Sequence, residues 1–260
     1  MENNSSVLDS DIVKVDKYEP HKIANGKNEV TFFVASDDID LADLQRYRQE
    51  TKTECLIAIN TTNKNYDCLE LADNVISCSP DEVQLVMQAF QLLHSGSGFI
   101  GMDWNEVKWA ISSGRNIEFL HGMASGENCV ALACEQLIPK LKNLSSNYPI
   151  TNMMINIYAD ISFGCEQQDF IIKQIDKNLM VNDATTFYQL SFFHEFDYWK
   201  KGEHVCCICM FLVYADKEDD IEPVIIEDDI PMKTTNPTQR AGNSIKEYLR
   251  RQQQRNKSES

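Results

Sequence analysis

Glycine is missing from a long stretch of the chain. The sequence has 10 glycines in 260 residues, and none lies between Gly26 and Gly96. A loop that wraps phosphate groups needs glycine, because its backbone amides must approach the phosphates without a Cβ in the way. Residues 27–95 therefore carry no such loop. Positive charge is also short: 24 Lys and Arg against 40 Asp and Glu leave a net charge of −16. That excludes sequence-independent binding of nucleic acid, which depends on a basic surface to release counterions. The longest apolar run, 205–215, is too short to span a bilayer. Residues 1–16 are polar and acidic, with no apolar run to act as a signal peptide. Nine cysteines, an odd number without secretory context, point to reduced thiols in a cytoplasm.

No metal or cofactor site is expected. Cys206, Cys207 and Cys209 sit close together, but zinc needs a second ligand pair and none is present. In a strand, Cys207 and Cys209 share one face and Cys206 the other, which suits core thiols. His21, His94, His121, His194 and His204 show no ligand spacing. An enzyme built on the cysteine-rich strand ranks last among the readings, because no base is paired with a thiol.

What is present reads as alternating strands and helices. Residues 30–35 are rich in β-branched and aromatic side chains and predict a strand, and 37–50 predict a helix with Leu41 and Leu44 inward. Short continuous apolar runs at 55–59 and 75–78 predict strands covered on both faces. Residues 80–95 follow, with Pro80 and Asp81 as a start signal and Gly96 and Gly98 as a stop. Apolar residues lie on every side of this helix, so it is expected to be central and buried. Residues 153–159, 185–192 and 205–214 predict strands and 167–179 an amphipathic helix. Residues 216–237 turn acidic and proline-bearing and cannot bury a core.

Just past the central helix, Asp103 and Glu106 stand three residues apart at the start of a second helix. That spacing puts both carboxylates on one face near the positive end of the helix dipole, where they suit N-terminal capping. The order Gly98, Phe99, Gly101, Met102, Asp103, Glu106 also resembles the synergy loop of the tubulin/FtsZ family, G-x-x-N-x-D-x-x-(D/E), with Gly101 in place of the Asn. Gly122-Met-Ala-Ser-Gly-Glu-Asn128 resembles the family stretch G-x-A-S-G-E-(N/D), which opens a helix running here to Lys140. Ser125 is expected to cap that helix. Residues 71–77 resemble the family strand before the central helix, and 153–159 resemble V-L-V-N-I-T-A. Ile245, Tyr248, Leu249, Arg250 and Arg251, next to Gln252, resemble the family's C-terminal peptide I-P-x-F-L-R-x-Q, with Lys246 replacing the Pro.

The resemblance covers roughly residues 29–252 and implies an organisation. Residues 1–28, outside the resemblance, are polar and read as a flexible arm with one short strand at 11–15. Residues 29–79 are a degenerate remnant of the nucleotide domain, a partial doubly wound α/β unit. The central helix and synergy loop occupy 80–111. Residues 112–215 form an α+β domain, a mixed sheet with helices like the family's C-terminal domain. An acidic linker spans 216–243 and a partner-binding peptide 244–260. In the family a glycine-rich phosphate loop follows the strand at 30–35; here Asp37, Asp38 and Asp40 take its place. Asp81 falls where the family contacts guanine and reads instead as a helix cap. The implied function is a non-GTPase, FtsZ-like cell-division protein in bacterial cytoplasm, at the division site. It would interact with FtsZ through Gly98, Phe99, Met102, Asp103 and Glu106 and modulate filament assembly, capping one filament end. The alternative is a scaffold whose tail, through Ile245, Tyr248, Leu249, Arg250 and Arg251, recruits membrane tethers or regulators, so that any membrane contact is indirect.

Overall fold

A computed structural model describes residues 13–62, 64–93, 102–160, 162–179, 184–192 and 204–215. Its strands are β1 (Val15–Lys17), β2 (Val30–Val34), β3 (Cys55–Asn60), β4 (Asn74–Ser77), β5 (Asn116–Ser125), β6 (Ile150–Ala159), β7 (Thr185–Phe192) and β8 (Val205–Tyr214). Its helices are α1 (Leu41–Thr51), α2 (Val83–Leu92), α3 (Trp104–Ser112), α4 (Cys129–Asn147) and α5 (Cys165–Asn178). All eight strands form one sheet in the order β1-β2-β3-β4-β5-β8-β6-β7. The strands run parallel except β8, which pairs antiparallel with both β5 and β6. The fold is thus mixed α/β, with a parallel half and a mixed half. The two halves are continuous: Val75, Ile76 and Ser77 of β4 pair with Asn116, Ile117 and Glu118 of β5. One sheet therefore crosses the boundaries drawn at 79/80 and 111/112.

Three apolar layers cover this sheet. On one face, α2 and α3 pack across both halves, burying Val86, Ala89, Phe90, Val107 and Ala110 against residues such as Phe32, Ile59 and Phe211. On the other, α1 covers the parallel half through Leu44 and Tyr47. Helices α4 and α5 cover the mixed half on that same side, through Leu137, Leu141, Ile171 and Ile175. Such double coverage makes the strands near-continuous apolar runs.

Several elements differ from the sequence reading. Helix α2 is not enclosed on every side: Gln84 and Gln91 are exposed and Leu85, Met87 and Leu92 are half-buried. It lies on the sheet along one face, and its last turn is tied down by polar side chains from the strands. Asn156 Nδ2 donates to the Ala89 carbonyl at 2.7 Å, Tyr158 Oη to the same oxygen at 3.2 Å, and Gln189 Nε2 to the Leu92 carbonyl at 2.5 Å. These satisfy carbonyls that a helix end leaves without intrahelical partners. The same device holds α3, where Asn152 Nδ2 donates to the Ala110 carbonyl at 2.9 Å and Asn74 Nδ2 to that of Ile111 at 2.9 Å.

The first described residues are not an arm. The short strand is β1, paired with β2 rather than confined to 11–15, and Val13 and Tyr18 are buried. Polar bonds do the anchoring: Asp16 accepts from Tyr47 Oη at 2.5 Å and from Lys22 Nζ at 2.6 Å. The polar composition of 13–18 hid this packing. Strand β5 is a further difference, since residues 122–125 end a strand instead of opening a helix.

Candidate functional site

The helix α3 crosses the end of the sheet at which the parallel strands begin. Trp104 Nε1 donates to Glu54 Oε2 at 3.4 Å, and Lys108 Nζ lies 3.7 Å from the same carboxylate, one residue before β3. At its other end α3 meets Asn74 and Asn152, near the starts of β4 and β6. Asp103 caps α3: the Glu106 amide donates to Asp103 Oδ1 at 2.8 Å, and the Asp103 amide donates to Glu106 Oε2 at 3.0 Å. This is the reciprocal capping box, and it accounts for the spacing of the two carboxylates. One oxygen of each carboxylate is committed to the helix; among the described residues Asp103 Oδ2 and Glu106 Oε1 take no part in the cap. Asp103→Ala should cost about 1 kcal/mol, as a lost N-cap does, measured as a lower urea midpoint.

Met102 is buried beside this cap, 5% exposed, as part of the core. A charge placed there would be buried in that core, so it disturbs folding and is a poor probe of docking. Gly98, Phe99 and Gly101 lie outside the described residues, as do Ile245, Tyr248, Leu249, Arg250 and Arg251.

At the opposite end of the sheet, β2 runs into α1 through Asp37, Asp38 and Asp40. Helix N-termini bind anions because their first amides point outward and the dipole favours negative charge. Here the chain supplies that anion itself: Asp40 Oδ1 accepts from the Ala42 amide at 2.9 Å and from that of Asp43 at 3.2 Å. Asp43, in the first turn, accepts from Tyr18 Oη at 2.6 Å and from the His21 amide at 3.1 Å. Asp37 pairs with Lys64. The helix therefore starts at Leu41, later than expected, because Asp40 is its cap.

Two other expected caps differ. Asp81 is exposed, and the turn into α2 is closed by Ser79, whose amide and Oγ donate to Glu82 Oε2 at 2.7 and 2.6 Å. Ser125 ends β5, Gly126 makes the turn at φ +95°, and α4 begins at Cys129. Gly122 is required by a close approach instead: a Cβ there would overlap the Ala133 carbonyl oxygen of α4.

The cysteine-rich strand is core. Cys206, Cys207 and Cys209 are buried, with Cys207 and Cys209 sulfurs 3.7 Å apart. Burial pushes the Cys206 and Cys209 thiols far up, which holds them as unreactive thiols. Among the described residues no group of His, Cys, Asp and Glu is arranged to hold a metal ion. Sequence reasoning missed one cluster, His204 with Ser162 and Asp160. Ser162 Oγ lies 3.1 Å and Asp160 Oδ2 3.3 Å from the same ring nitrogen, Nδ1. A Ser-His-Asp relay uses both ring nitrogens, so this arrangement ties a loop instead; Asp160 Oδ2 also accepts from the Val205 amide at 3.1 Å.

Comparison with known proteins supports the fold. No protein-family model matches the sequence, and no curated protein matches it. Among solved structures the chain is similar to a mutant of FtsZ from M. jannaschii, with a TM-score of 0.54 and 11% identity over 72% of this chain and 66% of that one. It is also similar to an empty FtsZ dimer from M. jannaschii (TM-score 0.44, 14% identity, 76% and 62% covered). A third similarity is to CetZ from Methanosaeta thermophila (TM-score 0.48, 14% identity, 90% and 71% covered). The chain thus spans 66% and 62% of the lengths of the two FtsZ chains. The architecture is of the FtsZ/tubulin kind. Among the described residues no helix is long and apolar enough to cross a membrane.

Proposed function

We propose that this chain is a partner of FtsZ that does not hold GTP and that stops filament growth at one end. The observation that carries the reading is the contrast between the two ends of the sheet. At one end α3 presents Asp103 and Glu106 with an oxygen of each uncommitted by the cap. At the other, the first amides of α1 are occupied by the Asp40 carboxylate, in a turn of three aspartates without glycine. A head-to-tail filament needs both ends of every subunit. A chain with one docking end and one closed end adds to a filament and offers the next subunit nothing. The tail peptide at 244–260, with Tyr248 and Leu249 as anchors, would hold the protein near division partners.

Nucleotide binding tests the closed end. Titrating the chain with fluorescent GTP should give no saturable signal in the micromolar range, about −8 kcal/mol of binding free energy. Saturable binding there would mean that the β2–α1 turn opens to phosphate, and the proposal would be lost.

A further inference from the structure

A cleft of about 500 Å³ opens where β4 ends and β5 continues beyond it. Asn60, Thr62 and Ser79 form one wall, and Lys140, Asn143 and Tyr148 of α4 and its following residue form the other. Its size is that of a small-molecule site. Glu118 faces into it from β5, opposite Ser77 in the sheet register.

Glu118 is the unusual member of this lining. Among the described residues its side chain has neither a hydrogen bond nor an ion pair, whereas both carboxylate oxygens of its neighbour Glu82 have close partners. Glu82 Oε2 takes the Ser79 amide and hydroxyl at 2.7 and 2.6 Å, and Oε1 lies 2.8 Å from His121 Nδ1. Lys140 stands on the far wall without pairing with Glu118. Burial, with the nearby Glu82 charge adding to it, pushes the Glu118 carboxyl up to about 7. The Cys78 thiol beside it is pushed to about 12, again chiefly by burial, so it brings no charge of its own. A half-buried carboxyl without a partner is costly to ionise, and a cation brought beside it removes that cost.

We infer that this cleft binds a small organic cation, a guanidinium or primary ammonium compound, whose donors meet the Glu118 carboxylate while Asn143 takes a further hydrogen bond; Asn60 and Thr62, tied to each other and to Lys64, form a fixed polar wall. A guanidinium fits best, because its planar fork matches a carboxylate with two parallel bonds. Lys140 on the opposite wall suits a ligand whose far end is anionic or hydroxylated. L-Arginine has both properties and is the probe. The inference is independent of the filament reading: it uses neither α3 nor the β2–α1 turn.

The other titratable groups around Glu118 are Asp81, Glu82, Cys78, His121, Lys140, Tyr148 and Tyr214. With its carboxyl raised to about 7, Glu118 is only partly ionised in the empty cleft near pH 7, is protonated at lower pH, and ionises fully when the cation arrives. Binding therefore releases a proton, and affinity should fall as pH drops below 7. The experiment is calorimetric titration of the full chain with L-arginine, at pH 6 and pH 8, in two buffers of different ionisation enthalpy. Expected are saturable binding, proton release, and affinity about tenfold weaker in Glu118→Gln, as for loss of a charge-assisted bond. Glu118→Gln is isosteric and removes a charge that burial disfavours, so its thermal midpoint at pH 8 should not fall below that of the parent. Asn143→Ala is a second variant, away from the carboxyl, and should weaken binding with less effect on its pH dependence. Absence of saturable binding at tens of millimolar arginine, or undiminished binding by Glu118→Gln, overturns the inference.

Discussion

Gly122→Ala is expected to lower stability by about 3 kcal/mol or more, at the upper end of what overpacking a tight core costs. Strand β5 passes directly beneath α4 at this residue. A methyl group would overlap the Ala133 carbonyl oxygen and meet the Leu137 Cβ at 3.2 Å. Backbone atoms of a 19-residue helix cannot swing aside as a side-chain end can. Relief requires α4 to lift from the sheet, which exposes the layer containing Leu137, Leu141 and Ile208. The neighbouring Met123 is 39% exposed, so Met123→Ala is the control and should change little. Gly126 makes a second contrast. Nothing lies near a Cβ there, yet its φ of +95° strains any other residue, and Gly126→Ala should cost about 1 kcal/mol, the usual scale for that backbone conformation. Urea midpoints of the three variants separate steric from conformational demands within one motif.

Phe90→Ala should cost about 3–5 kcal/mol, the range for truncating a buried aromatic residue. Phe90 is fully buried and meets Phe32 of β2 edge-on at 5.3 Å and Phe211 of β8 at 5.7 Å. Its contacts therefore join the parallel half of the sheet to the mixed half. If one sheet makes one folding unit, the variant keeps a single transition at a lower denaturant midpoint, with fluorescence and far-ultraviolet dichroism coinciding. Two separated transitions would mean that the halves fold independently despite β4–β5 pairing.

Legibility followed the physics of each element. Strands β2, β3, β4, β6, β7 and β8 were readable from runs of apolar, β-branched and aromatic residues, unbroken in β3 and β8 as coverage on both faces favours. Strand β5 was not, because Glu118, His121, Gly122 and Ser125 interrupt its pattern: one faces a cleft and another sits beneath α4. The position of α2 was readable but its burial was overstated. Its apolar residues lie around the helix, yet Leu85, Met87 and Leu92 line the edges of a one-sided contact. The capping box at Asp103 and Glu106 was legible, since three-residue spacing at a helix start has a local cause. Glu82 with Ser79 obeys the same rule, but the preceding Pro80 and Asp81 drew the cap assignment away from it. The cleft at Glu118 could not be read at all. It joins Asn60, Ser79, Glu118 and Asn143, residues remote in sequence that only the fold assembles.

The central claim is that the α3 end docks on FtsZ while the α1 end is closed. Sedimentation of purified FtsZ with GTP, across a titration of this chain, tests it most directly. The informative variant is Asn105→Glu, on the exposed first turn of α3 between the two capping carboxylates. A glutamate there suits the helix dipole and keeps the fold, but it adds bulk and charge to the docking surface. The account predicts that the parent chain reduces pelleted FtsZ at well below one copy per subunit, and that Asn105→Glu needs about tenfold more for the same effect, as loss of a central contact implies. Unchanged pelleting at equimolar parent chain, or equal inhibition by Asn105→Glu, would contradict it.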